Sequence, residues 1–305
     1  MIRKLSPELQ EKAIKELNEV PSRISSDIQT LREWLQKQPH LKSANPPEQL
    51  LVGFLRGNKY SLEKCKEKLD MYYTLKTVLP EIYQNRNPFD PAIQEIIFLP
   101  LKNCATEDGV RVCLCRFQEF DNSKHKLSDF VKLVYMIFEI LILEDDNYVI
   151  SGEECVIDLQ GVGISNFTQW TPTLAKKVVV SFEKSFPLRI KANYILHTPP
   201  GFDAAYGILK MFLGDKHKER YHIYKNNVEE VYKKVPRHIL PKEYGGEGGT
   251  IQELKDHWKI KIENYGNWFK EQEFQHSEES LRPEKPRTSS SLFGVEGSFR
   301  KLDMD

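Results

Sequence analysis

The chain has 305 residues, 40% of them hydrophobic and 29% charged, the balance of a globular protein with one large or two small domains. Its 44 Lys and Arg are matched by 44 Asp and Glu. Zero net charge argues against general nucleic-acid binding, so any anion site must be a local patch.

The first residues, Met1-Ile2-Arg3-Lys4-Leu5-Ser6-Pro7, lack the apolar stretch of a signal peptide. No window has the ~18 apolar residues of a membrane span; the greasiest run, 131–143, contains Lys132 and Glu139. Residues 6–79 show three-and-four spacing: Leu9, Ala13, Ile14 and Leu17, then Ile24, Ile28, Leu31 and Leu35, then Leu51, Phe54 and Leu55. This periodicity predicts helices, separated at Pro21, Pro39 and Pro46-Pro47. An all-helical N-terminal module over 1–84 follows, ending in a Pro/Asn/Asp linker over 85–91.

Beyond the linker the period changes. Strands are expected at 111–117, 154–159, 190–196 and 221–224, alternating with helices at 127–143, 171–186, 202–213 and 228–234. The alternation predicts an α/β domain over 92–250, with a mostly parallel sheet covered by helices. A final amphipathic helix is expected over 251–272, and a disordered tail over 273–305, where apolar periodicity stops.

Residues 181–249 carry the functional signal. Val178, Phe182 and Phe186 lie at i, i+4 and i+8 on one stripe, and Val131, Tyr135 and Phe138 form another. Each reads as sheet-facing core when taken alone. The 202–213 helix does not. Phe202, Ala205, Tyr206, Leu209, Phe212 and Leu213 occupy one face, and Ala204, Ile208 and Met211 another. A helix apolar nearly all round must be buried or face something apolar. Pro199-Pro200-Gly201 and Gly214 bracket it as hinges. It is expected to be a lid over an apolar pocket lined by Val131, Tyr135, Phe138, Val156, Val178, Phe182, Phe186, Ile190, Ile208, Leu209 and Phe212. Beside it, Arg189 and Lys191 are two apart on a strand, and Lys216 and Arg220 four apart on a helical turn, so each pair shares a face.

Signals for catalysis are weak. Gly161-Val162-Gly163 follows a strand, but Asn166 stands where a dinucleotide loop has its third glycine. Tyr206 and Lys210 have the spacing of a dehydrogenase pair without a cofactor loop to serve. Asp158 and His197 fall at strand ends with no partner legible in the sequence. The eight histidines are dispersed, so no metal site is expected. Five cysteines, with Cys113 and Cys115 one residue apart, read as reduced and packed.

Phe54-Leu55-Arg56, Ile157-Asp158-Leu159-Gln160-Gly161, Ser185-Phe186-Pro187-Leu188-Arg189, Lys218-Glu219-Arg220, Ile239-Leu240-Pro241 and Glu243-Tyr244-Gly245-Gly246 occur in order across about residues 5–270. In these stretches the chain resembles the CRAL-TRIO lipid-transfer family, and within it the branch of alpha-tocopherol transfer and retinaldehyde-binding proteins. The resemblance implies a helical N-terminal module followed by a lipid pocket under a mobile helical gate. It implies that Arg189, Lys191, Lys216 and Arg220 hold a phosphatidylinositol bisphosphate headgroup, joined by Lys59 because the family's N-terminal basic position is Asn58 here. Val134 and Phe138 fall at pocket-lining positions that are small and polar in the tocopherol protein, and His197 replaces an Asn usual at that strand end. The implied function is a non-enzymatic, monomeric cytoplasmic carrier, reversibly peripheral on membranes. Its ligand would be an isoprenoid of tocopherol, retinoid or carotenoid class, with no cofactor. Two rivals stay open: a phospholipid-exchange or lipid-sensing protein of the same fold, and a lipid-alcohol dehydrogenase.

Overall fold

The structure is a computed structural model that describes residues 2–106, 108–118 and 123–294. Helix α1 (Pro7–Leu17) starts where Ser6 accepts a hydrogen bond from the Leu9 amide, and it stops at Asn18 in a left-handed conformation. It buries Leu9, Ala13 and Leu17 against Ile150. Helices α2 (Ile24–Gln36), α3 (Glu48–Gly57), α4 (Leu62–Val78) and α5 (Pro80–Tyr83) complete the N-terminal set. The expected linker is exposed over most of its length but anchored at Arg86 and Pro88. Arg86 is 2% exposed and its Nη1 lies 3.0 Å from Oε1 of the buried Glu139. Helices α2–α5 share one apolar core with the α/β part, running from Ile28 to Phe293.

After α6 (Pro91–Gln94) come strands β1 (Phe98–Pro100) and β2 (Arg111–Arg116), helices α7 (Leu127–Glu144) and α8 (Asp146–Ile150), strand β3 (Glu153–Asp158) and helix α9 (Pro172–Ser185). Strand β4 (Ile190–Leu196), helices α10 (Phe202–Phe212) and α11 (Asp215–Lys218), strand β5 (Tyr221–Lys225) and helix α12 (Val228–Tyr232) follow. The sheet order is β1-β2-β3-β4-β5; β1 is antiparallel and the other pairings are parallel. Strands added one after another in the same direction by right-handed crossovers put their connecting helices on one face. That face carries α7, α9 and α10. Three-residue β1 was not anticipated, since a strand that short carries no periodicity.

β3 and β4 are out of step by one residue: Glu153 pairs with Ile190 but Glu154 with Ala192. The extra residue, Lys191, is exposed, and the alternation of β4 is re-phased across it. Gly152, with φ 94°, sits where a Cβ would be 2.3 Å from the Arg189 carbonyl oxygen, so no other residue fits this junction.

Helices α13 (Ile251–Asn264) and α14 (Gly266–Glu273) lead into a segment that overturns the expected disorder of 273–305 for residues 274–294. Ser277, Arg282 and Phe293 are buried, and a last helix, α15 (Ser289–Phe293), packs near α9. Arg282 pairs with Asp70 of α4 and with Glu279. The segment docks through ion pairs and one buried aromatic, neither of which leaves a helical period in sequence. The remainder of the expected tail, 295–305, lies outside the described residues.

Candidate lipid pocket and basic surface

Between the sheet and helices α7, α9 and α10 lies a cavity of about 300 Å³, at the small end of the range for ligand sites. Strand alternation decides which residues reach it. Cys115 and Phe117 from the β2 side, Glu153, Cys155 and Ile157 from β3, Ile190, Asn193 and Ile195 from β4, and Tyr221 from β5 line the floor. Val131, Tyr135 and Phe138 of α7, with Leu127, Phe130 and Val134, form one wall, and Val178 and Phe182 of α9 another. Leu209 closes the top together with Phe202, Ala205, Tyr206 and Leu213.

Seven of the eleven residues assigned to the pocket from sequence line it: Val131, Tyr135, Phe138, Val178, Phe182, Ile190 and Leu209. Four do not. Val156 lies on the opposite face of β3, one step out of phase with Cys155 and Ile157. Phe186 follows the last residue of α9, so the helical stripe breaks before it. Its ring turns into the shared core, 5.9 Å from Tyr72, 5.0 Å from Tyr135 and 5.6 Å from Phe138. Ile208 and Phe212 are half-buried on the flank of α10, next to Met211, which is 64% exposed. Glu153, Cys155 and Trp170 were missed. The first two follow from the same one-residue phase error.

Helix α10 starts at Gly201, whose φ is 88°, after the Pro199-Pro200 pair. Trp170 Nε1 donates to the Ala205 carbonyl at 3.1 Å, and Ile164, 66% exposed, flanks Gly201. Helix α10 thus has an apolar inner face on the cavity, with Met211 and the neighbouring Ile164 exposed on its outer side.

The basic residues cluster at the N-terminal ends of β4 and β5. Burial, then the charge of Arg189, depresses the Lys191 ammonium, with Lys12 and Arg220 adding to this and Glu16 opposing it. Burial and Arg189 depress Arg220 in the same way. Burial also lowers His217, against Glu183, with Arg220, Lys68 and Lys216 contributing. Lys68, pushed down to about 8 chiefly by burial, joins the set and donates to the Phe186 carbonyl at 2.6 Å. Arg189 is engaged, with Nη2 3.2 Å from Glu16 Oε2. Lys59 is exposed on the turn after α3, where Gly57 abuts Pro187. Asn58 is buried and donates to the Phe54 carbonyl at 2.9 Å. Arg56 of the N-terminal motif is buried on Glu19, Nε to Oε2 2.8 Å.

Asp158 and His197 do meet, with His197 Nδ1 2.7 Å from Asp158 Oδ1 and the Tyr244 hydroxyl donating to Oδ2. Burial raises the Asp158 carboxyl, but these bonds outweigh it and hold it below its usual value. Neither Asp158 nor His197 lines the cavity; the trio ties β3 and β4 to the turn at Lys242–Tyr244. Lys210 Nζ sits over the Tyr206 ring, 4.9 Å from its centre, and burial raises the Tyr206 phenol. A hydride-transfer base needs the opposite shift. Among the described residues no His, Cys, Asp and Glu group is arranged for a metal, and no helix is long and apolar enough to cross a membrane.

A sheet-floored apolar cavity covered by a helix between Pro/Gly breaks has the geometry of a site for a hydrophobic small molecule. The CRAL/TRIO domain profile matches residues 101–246, and a Pinta-like, UBA domain profile matches residues 20–93. The chain is 30% identical over 250 residues to an "Alpha-tocopherol transfer protein-like" protein of Mus musculus, covering 81% of this chain and 72% of that one. It is 24% identical over 292 residues to "Clavesin-2" of Homo sapiens, covering 91% and 89%. The crystal structure of Sfh5 superposes with a TM-score of 0.48 at 14% identity, covering 83% of this chain and 92% of that one. The chain belongs to the CRAL/TRIO family of lipid-binding and lipid-transfer proteins.

Proposed function

We propose that this chain carries one isoprenoid-type molecule, of tocopherol, retinoid or carotenoid class, between membranes, docking through an anionic phosphoinositide headgroup. The observation that carries the reading is helix α10, apolar toward the cavity at Leu209 and Leu213 and apolar outward at exposed Met211, with Ile208 and Phe212 half-buried on its flank. Burying about 15 carbons gains ~12 kcal/mol over water. The donor bilayer already provides that burial, so cavity and membrane nearly balance and the barrier is the aqueous crossing. A lid that opens only against a bilayer removes that crossing. Lys191, Lys216 and Arg220 beside it supply about 1 kcal/mol each near an anionic leaflet, enough for docking that can reverse.

The cavity favours a single-chained guest over a phospholipid. Its lining is almost wholly apolar, with no charged cluster for a phosphate headgroup. Mass spectrometry of an organic extract of the chain purified from its native source tests this. One apolar isoprenoid per chain is expected; a stoichiometric phospholipid would overturn it.

A further inference from the structure

One lining residue has no part in the carrier reading. Glu153 opens β3, faces the cavity and is 3% exposed. No hydrogen bond within 3.5 Å reaches its Oε2 or the hydroxyl of buried Tyr148 among the described residues, although Tyr148 and Cys113 lie close enough to act on the carboxyl. The other deeply buried carboxylates are held. Glu19 meets Arg56 and Tyr60. Asp70 meets Arg282 and His40. Glu139 meets Arg86, Tyr72 and Trp268. An unmet polar atom at such a depth is costly, and here the residue that carries it borders the apolar cavity. Asn193, 8% exposed, faces the same cavity from the neighbouring strand, directly beside Cys155.

We propose that Glu153 is the polar anchor of the cavity, receiving the single hydroxyl group of an apolar alcohol or phenol. This deepens the carrier reading and rests on it. Burial pushes the Glu153 carboxyl up to about 7, with Tyr148 and Cys113 opposing, so the group is mostly a neutral acid below neutral pH. A neutral carboxylic acid both donates and accepts, as a hydroxyl does, so the two satisfy each other without burying charge. A hydrocarbon or an ether leaves the acid proton or the carbonyl oxygen unmet. A carboxylate guest places two acids side by side, and one must stay protonated. An amine guest needs an ion pair in apolar surroundings, whose desolvation cancels much of its attraction.

The test uses the full chain at pH 6.5 and one skeleton with four ends: farnesol, farnesyl methyl ether, farnesoic acid and farnesylamine. Each competes with a fluorescent apolar probe, for wild type, Glu153→Gln and Glu153→Leu. Wild type should bind farnesol at least tenfold more tightly than its methyl ether. Glu153→Gln, which still donates and accepts, should keep most of that preference. Glu153→Leu should bring the ratio to about one, with ether affinity unchanged or higher. If no farnesyl compound binds wild type, the carrier reading fails and the anchor with it. If all bind but wild type shows no alcohol preference, or Glu153→Leu keeps it, the anchor is overturned and the carrier reading stands. Tightest binding by the acid or the amine also overturns the anchor.

Discussion

Arg282 grips Asp70 with both terminal nitrogens, Nη1 to Oδ2 at 3.1 Å and Nη2 to Oδ1 at 3.0 Å, across 212 positions of sequence. His40 and Arg287 hold the same carboxylate, at 2.8 and 2.7 Å. Arg282→Ala leaves Asp70 and Glu279 short of a buried cation, a loss of about 2–3 kcal/mol. The melting temperature should fall by about 4–6 °C, as read by circular dichroism. An unchanged melt would show that 274–294 adds nothing to the fold.

The same contact has a pH dependence. Burial raises Glu279, but Arg282, the Arg287 amide and Ser277 outweigh it and bring its carboxyl to about 2 from 4.5. A depressed carboxyl stabilises above its unfolded value and loses that contribution as pH falls through the folded value. The C-terminal segment should therefore loosen between about pH 4.5 and 2. Hydrogen exchange at 277–294 should rise there before exchange in β3 and β4 does.

Glu153 works in the other direction. Its folded value, about 7, lies above the unfolded 4.5, so the folded state binds the extra proton and stability falls as pH rises between them. Glu153→Gln removes this loss, by at most about 3 kcal/mol. The variant's melting temperature relative to wild type should be higher at pH 7.5 than at pH 5. A pH-independent difference would mean that Glu153 does not titrate in this range.

Neutralising Lys191 and Arg220 together should weaken binding to vesicles containing phosphatidylinositol bisphosphate, and raised salt should mimic the change. Glu16→Gln should strengthen that binding, because it frees Arg189 from its 3.2 Å pair. Sedimentation with vesicles measures both; binding that ignores charge and salt would reduce the patch to solvated surface.

Much of this arrangement was readable from the chain and some was not. The Val131, Tyr135, Phe138 stripe and the two-sided apolarity of α10 are properties of helical period, and both placed residues at the cavity. The strand floor was misphased because Cys155, Val156 and Ile157 are all apolar, so alternation does not mark the inward face of β3, and the opposite choice exchanges Val156 for Cys155 and Ile157. The bulge at Lys191 flips β4 the same way without any Gly or Pro to announce it. Phe186 was lost where its helix ends one residue earlier. The docked 274–294 segment has too few apolar residues to show a period; its partners, Asp70 and His40 among them, are distant in sequence.

Met211→Asp changes only the outer side of α10. Melting temperature and affinity for a soluble fluorescent retinoid should hold, while delivery to vesicles slows at least several-fold. Normal delivery would mean the guest leaves by another route.

The most direct measurement is transfer of a fluorescent isoprenoid from donor to acceptor vesicles, comparing wild type with Phe182→Asp, which places a charge in the cavity wall. Wild type should accelerate transfer in proportion to its concentration, more so when acceptors contain phosphatidylinositol bisphosphate, and the folded variant should give only the spontaneous rate. A wild-type rate equal to the spontaneous one, or a Phe182→Asp rate equal to wild type, would contradict the account.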